Sequence, residues 1–176
     1  MKKLSIAIAL SLLTASFAVA QDLPKPDPKS KELQWFVGSW QCTGKSWGMG
    51  KELPTKANVV VAWTLNGFWL QTKYVETKTE KNVYPIAATL LWSYDAGQKQ
   101  FVSGSVDNTG GYSTEASDGW KGDTLTWSGA GHGMMPGNVR ETFLKKSANE
   151  LVHTGETETK GAWMKTDEER CKRARK

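Results

Sequence analysis

The 176-residue sequence has only two histidines and two cysteines. No group of them falls at zinc-ligand spacing, which excludes a Cys/His zinc motif. No Gly-x-Ser-x-Gly occurs, and no nucleophile can be tied to a base by spacing. No stretch longer than about two turns carries helical apolar spacing, so helical bundles and coiled coils are excluded. After Ala20 no apolar run approaches the roughly 20 residues that cross a bilayer as a helix. An aromatic-basic motif of the RNA-binding type is also missing, so no nucleic-acid partner is expected. What remains is ordinary globular composition, 39% hydrophobic and 23% charged with a formal charge of +5. That excludes bulk disorder and collagen.

Met1 to Ala20 reads as an export signal. Lys2 and Lys3 precede an apolar run from Leu4 to about Phe17, and Ala18-Val19-Ala20 places small residues before Gln21. The run is short for a membrane anchor, and no cysteine follows it to carry a lipid. The expected location is periplasmic or extracellular. Residues 21–32 carry Pro24, Pro26 and Pro28 among Lys and Asp, which predicts an extended leader. Residues 33–176 form one domain, large enough to bury roughly 68–70% of its unfolded surface. The basic run from Lys165 to Lys176 reads as a solvated end.

From Leu33 onward the pattern is all-β. Turn signals recur about every ten residues, among them Asn66-Gly67, Asp95-Ala96-Gly97, Asn108 to Gly111, Asp118-Gly119 and Lys160-Gly161. This spacing marks a sandwich or an up-and-down barrel. Leu33 to Val37 is expected to form one turn plugging an end. Asn66-Gly67 suits a type I′ hairpin turn, since both central residues need positive φ. The turn pairs Leu65 with Phe68, Trp63 with Leu70, Val61 with Thr72 and Val59 with Tyr74. That face is the more apolar and should point inward, leaving Trp69 outside or at the rim. The strands near Val102–Val106 and Tyr112–Ser117 offer mainly small or hydroxylated side chains. They line a hydroxyl-rich cavity or form a wet edge.

The candidate site residues follow from this pattern. Nine tryptophans, about four times ordinary usage, supply large rigid walls with one donor each. Trp63, Trp92 and Trp127, with Tyr74, are expected to line a pocket. His132 lies near Met134 and Met135, a weak copper-type set. His153 sits in a probable strand, where a lumen position would let it ligate haem iron. Arg140 either faces the lumen and binds a ligand carboxylate bidentately, or faces out as a surface charge. Cys42 and Cys171, in the first and last strands, are expected to form a disulfide across the seam of a closed barrel.

The segment Gly38-Ser39-Trp40 after a short turn resembles the start of the lipocalin and wider calycin group. There the Trp packs across the closed end under an Arg from the last strand; Trp40 and Arg170, or Arg173, match. Tyr94 to Phe101 and Leu125 to Gly129 are similar to small bacterial lipocalin-like proteins with no assigned function. The resemblance implies a single antiparallel up-and-down barrel of about eight to ten strands around one small-molecule cavity. Nitrobindin relatives share Gly-x-Trp but carry a haem-ligating His near the C-terminus, and Trp163 to Arg173 here has none. The expected function is therefore non-catalytic binding of a small, partly apolar molecule, with no metal and no obligatory cofactor. Two alternatives are a haem or nitric-oxide protein using His153, and an enzyme or enzyme inhibitor acting through barrel-mouth loops. If the export reading holds, intact mass of the secreted protein gives an N-terminus at Gln21; a mature chain retaining Met1 contradicts it.

Overall fold

The computed structural model describes residues 23–47, 50–133 and 136–174; the export-signal segment, Met134 and Met135 lie outside them. A 3-10 helix, Pro28–Phe36, precedes the strands. These are β1 (Gly38–Ser46), β2 (Leu53–Thr64), β3 (Trp69–Glu76), β4 (Ala87–Asp95), β5 (Gln100–Asp107) and β6 (Tyr112–Ser117). There follow β7 (Trp120–Lys121), β8 (Thr124–His132), β9 (Gly137–Ser147), β10 (Glu150–Thr159) and β11 (Ala162–Arg173). Each strand pairs with its sequence neighbour except at two places. β6 pairs with β8, leaving β7 as a two-residue extra, and β1 pairs with β11. The result is a closed, antiparallel, up-and-down barrel of ten strands. Closure leaves the ten barrel strands without a free edge, and only the two-residue β7 pairs on one side.

The predicted hairpin register is observed: Trp63 opposes Leu70, Val61 opposes Thr72 and Val59 opposes Tyr74. Asn66 and Gly67 both have positive φ, and Phe68 N–H donates to Leu65 C=O at 3.2 Å. The outermost pair differs. Leu65 itself takes φ +48° and is 63% exposed, so the ladder ends at Thr64 and Trp69. Trp69 faces outward, against a shallow depression over Leu91, Val102 and Val106.

The helix corrects the leader boundary. It starts at Pro28 rather than Leu33, because Asp27 caps the Lys29 N–H at 2.8 Å and Pro28 supplies a preset φ at the first position. Its buried residues, Ser30, Leu33 and Phe36, stop one end of the barrel. Phe36 meets Trp92, Trp120 and Phe143 at ring separations of 5.0, 5.4 and 5.4 Å. The plug is also held through its backbone: Trp40 Nε1 donates to Phe36 C=O at 2.8 Å and Trp120 Nε1 to Glu32 C=O at 3.0 Å.

The arginine over Trp40 is Arg173, not Arg170. Its guanidinium lies 4.2 Å from the Trp40 ring and donates to the carbonyls of Val37 and Trp35. Strand alternation explains the difference. Arg170 opposes Thr43 on the outer face and pairs with Glu150 at 3.1 Å, 59% exposed. The basic C-terminal run is thus largely the last strand, not a free tail.

Cys42 and Cys171 are direct partners in the β1–β11 ladder and form a disulfide, 129 residues apart in sequence. In the chain-entropy account such a loop is worth on the order of 5 kcal/mol. Thiol titration of the folded protein should detect no free cysteine. The Cys42→Ala/Cys171→Ala variant should lose up to about 5 kcal/mol in urea unfolding; unchanged stability would show the cross-link does not constrain the chain.

Candidate functional site

The barrel is hollow. Above the plug lies a cavity of about 610 Å³ that opens at the far end, where β1 leads to β2 and β3 leads to β4. Its floor is aromatic: Phe36, Trp40, Trp92, Trp127 and Phe143, with Trp92 stacked on Trp127 at 5.4 Å. Its β5–β6 wall is hydroxylated, as Ser103, Ser105 and Ser113 face inward and the Ser105 and Ser113 hydroxyls meet at 2.7 Å. Of the two predicted outcomes for these thin strands, the hydroxyl-lined cavity is the one observed.

The middle of the cavity is acidic, which the sequence reading missed. Glu115 on β6, Glu141 on β9, and Asp167 and Glu169 on β11 all line it. His153 on β10 lies between two of them. Its Nε2 is 2.5 Å from Glu141 Oε2 and its Nδ1 is 3.1 Å from Asp167 Oδ1, while Phe143 covers the ring at 4.7 Å. Thr55 Oγ1 and Tyr74 OH donate to Glu169 Oε1 at 2.8 and 3.0 Å. Ser113 donates to Glu115 at 2.6 Å.

Local backbone choices make room for these groups. Gly155 opposes both Glu141 and Asp167 across its two ladders. A Cβ there would come within 2.1 Å of Asp167 Oδ2, so only glycine admits the carboxylate beside His153. Gly44 faces Glu169 and Gly129 faces Glu115, but there a Cβ would come within 2.0 Å of a backbone carbonyl of the facing strand, that of Glu168 or Thr114, so close strand approach requires the glycine. Beside Gly155 the β10–β11 register shifts, with Thr166 as the unpaired residue; this bulge re-aims β11 at the cavity mouth.

The electrostatics follow from burial without a matching number of cations. For His153, burial favours the neutral ring, but the charges of Asp167 and Glu141 override it and raise its pKa well above 6.5. Burial likewise opposes ionisation of Asp167, and His153⁺ wins there, holding it below 3.8. Glu141 goes the other way. Burial pushes it up to about 7, against the pull of His153⁺. Burial also raises Glu115 and Glu169, partly offset by their hydroxyl donors, and raises Tyr74 beside Glu169.

The predicted site residues divide cleanly. Trp92, Trp127, Tyr74 and His153 line the cavity. Trp63 does not; it sits at the plugged end, its Nε1 donating to Gln34 Oε1 at 2.5 Å. Arg140 is on the outer face, held by Glu156 through Nε and Nη2 at 2.7 Å each and lying 4.4 Å from the Trp163 ring. Glu141 takes the inward position because Val139 and Phe143 share its face. His132 is at the mouth, stacked on Tyr112 at 4.4 Å.

Residues 25–173 match a family described as "Protein of unknown function (DUF1579)". The chain belongs to that family. No curated protein matches it. The fold is similar to that in "Crystal Structure of Rv2717c from M. tuberculosis", with TM-score 0.67 and 14% identity over 86% of this chain and 100% of that one. At that identity the likeness speaks for the barrel alone, and neither description names a ligand. Haem, implied by the nitrobindin resemblance, does not fit His153. Both its nitrogens are engaged by carboxylates, and a histidine held protonated has no lone pair for iron.

The shifts give stability a definite pH dependence. Raised pKa values mean that the folded state holds these protons more tightly. The stability from Glu141 is complete below about 4.5 and is lost as pH climbs to about 7. His153 acts in the same direction from 6.5 upward, and Asp167 in the opposite direction below 3.8. Urea unfolding across this range should show stability declining from mildly acidic to alkaline pH. The Glu141→Gln variant should flatten the decline up to about pH 7; an unaltered profile would remove Glu141 as its source.

Proposed function

We propose that this chain is an exported, lipocalin-like binding protein that holds one small, partly apolar molecule in its lumen without chemical conversion. The observation that carries this reading is the hollow itself. Ten strands close, the helix seals one end, and about 610 Å³ stays open between an aromatic floor and a polar middle. Pockets of about 300–1,000 Å³ lined by apolar walls with a few placed polar groups are the usual form of small-molecule sites. Export is supported by the signal-like Met1 to Ala20 and is compatible with the Cys42–Cys171 bond. The enzyme reading has less behind it. The Asp167–His153–Glu141 chain can exchange protons near neutrality, but both ring nitrogens of His153 already meet carboxylates, and the hydroxyl beside the chain, Thr166 Oγ1, donates to Asp167 Oδ2 at 3.0 Å rather than to the ring.

A neutral probe tests the hollow independently of its charge. Fluorescence of N-phenylnaphthylamine should rise when it enters the lumen. Ala88 lines the cavity, whereas Thr89 faces the outer wall. Ala88→Trp should abolish the enhancement, and Thr89→Trp should leave it intact. Equal enhancement in both variants would place the dye on the surface and end the carrier reading.

A further inference from the structure

The protein is basic, with 23 Lys and Arg against 18 Asp and Glu, yet its lumen has the opposite sign. The described lining residues include Glu76, Asp107, Glu115, Glu141, Asp167 and Glu169, two histidines, and neither Lys nor Arg. Two of the six carboxylates serve the mouth loops. Asp107 accepts the N–H groups of Thr109 and Gly111, and Glu76 accepts from Asn82 Nδ2 and Ile86 N–H. The other four surround His153, which offers a single positive charge. The raised pKa values of Glu115, Glu141 and Glu169 share one origin, burial away from water, which the single charge of His153 offsets only in part.

A second observation is independent of the charges. Among the described residues, Thr72 Oγ1 and Trp127 Nε1 are buried side-chain atoms with no hydrogen-bond partner. The residues are 6% and 1% exposed and both line the cavity. Buried donors are almost always satisfied, and an unsatisfied one disfavours the empty site. Trp127 is the partner of Glu141 across the β8–β9 ladder, so both side chains enter the lumen at one level.

Resting on the reading of the lumen as a binding site, we propose that it selects an organic cation. The ligand carries an ammonium or guanidinium group on an aromatic or aliphatic body, with an oxygen acceptor. The cation sits among Glu141, Asp167 and Glu169, the body lies on Trp92 and Phe143, and the acceptor meets Trp127 Nε1. A metal ion does not suit these acids, because His153 separates Glu141 from Asp167. The one trio of ligating atoms close enough for an ion, among the described residues, is Cys42, Glu169 and Cys171, whose sulfurs are bonded to each other. An anionic ligand would face the carboxylates with only His153 to oppose them.

Isothermal titration calorimetry with three probes sharing one body tests this: para-methoxyphenethylamine, para-methoxyphenethyl alcohol and para-methoxyphenylacetate. The amine should bind at least about tenfold more tightly than the alcohol, and the acid least, since one buried charge pair outweighs a neutral hydrogen bond. Glu169→Gln should cost the amine about tenfold and leave the alcohol unchanged, which also reports that the variant is folded. Trp127→Phe should weaken amine and alcohol alike. Equal affinity of amine and alcohol, or preference for the acid, overturns the proposal. So does failure of all three to bind while N-phenylnaphthylamine still enters the lumen, a result that leaves the carrier reading standing.

Discussion

One ladder carries most of what distinguishes this barrel: the pairing of β1 with β11. Its inward pairs, read from the plugged end, are Trp40 with Arg173, Cys42 with Cys171, Gly44 with Glu169, and Ser46 with Asp167. The first locks the helix into the barrel end, because Arg173 spans the Trp40 ring and the carbonyls of Val37 and Trp35. The second ties the two chain ends covalently. The third and fourth bring two acids into the lumen. A slip of one residue would turn all four pairs outward at once. Closure, sealing and the chemistry of the cavity therefore depend on a single register, and the disulfide sits at the centre of it.

Much of this was legible before the fold was known. The hairpin about Asn66-Gly67 and the inward Tyr74 follow from period-two alternation and turn chemistry, which are local properties, and the seam disulfide follows from one cysteine pair shared between the first and last strands of a closed barrel. The resemblance offers Arg170 or Arg173 for the plugged end, and alternation from Cys171 already excludes Arg170. An inward Cys171 makes Arg173 inward and Arg170 outward. The same step along β11 places Glu169 and Asp167 inside. The signal for the acidic lumen was present in the sequence, but a hydrophobic expectation for barrel interiors hid it. Trp63 shows the opposite limit. Its inward face was read correctly, but its height along the barrel was not, and the plug takes that level. Height depends on strand tilt and on where the helix stops, and neither is a local property.

Burying four carboxylates around one imidazolium is an expensive way to build a core. Replacing such groups by well-packed apolar residues is often neutral or stabilising. At Gly155 the chain nevertheless gives up a β-carbon that Asp167 would meet, and so loses packing and backbone stiffness, whereas Gly44 and Gly129 answer to the close approach of the facing backbone. Hydroxyls from Thr55, Tyr74 and Ser113 recover part of the desolvation. Local choices that weaken a core and converge on one space are expected at functional or strained sites.

His153 decides how that space responds to an incoming charge. As an imidazolium it neutralises Asp167 and part of Glu141, so the empty lumen is less negative than its carboxylate count implies. A cation arriving beside Glu141 and Glu169 favours their ionised forms and opposes the charge on the ring. In the proposed complex, protons then leave the lumen as the cation enters. Since burial pushes Glu141 up to about 7, this exchange falls near neutral pH. Affinity for a cation should then rise with pH through that region, in the direction opposite to the stability of the empty barrel. For the proposed cation the two trends share one cause, the protons that the folded chain retains in place of that charge.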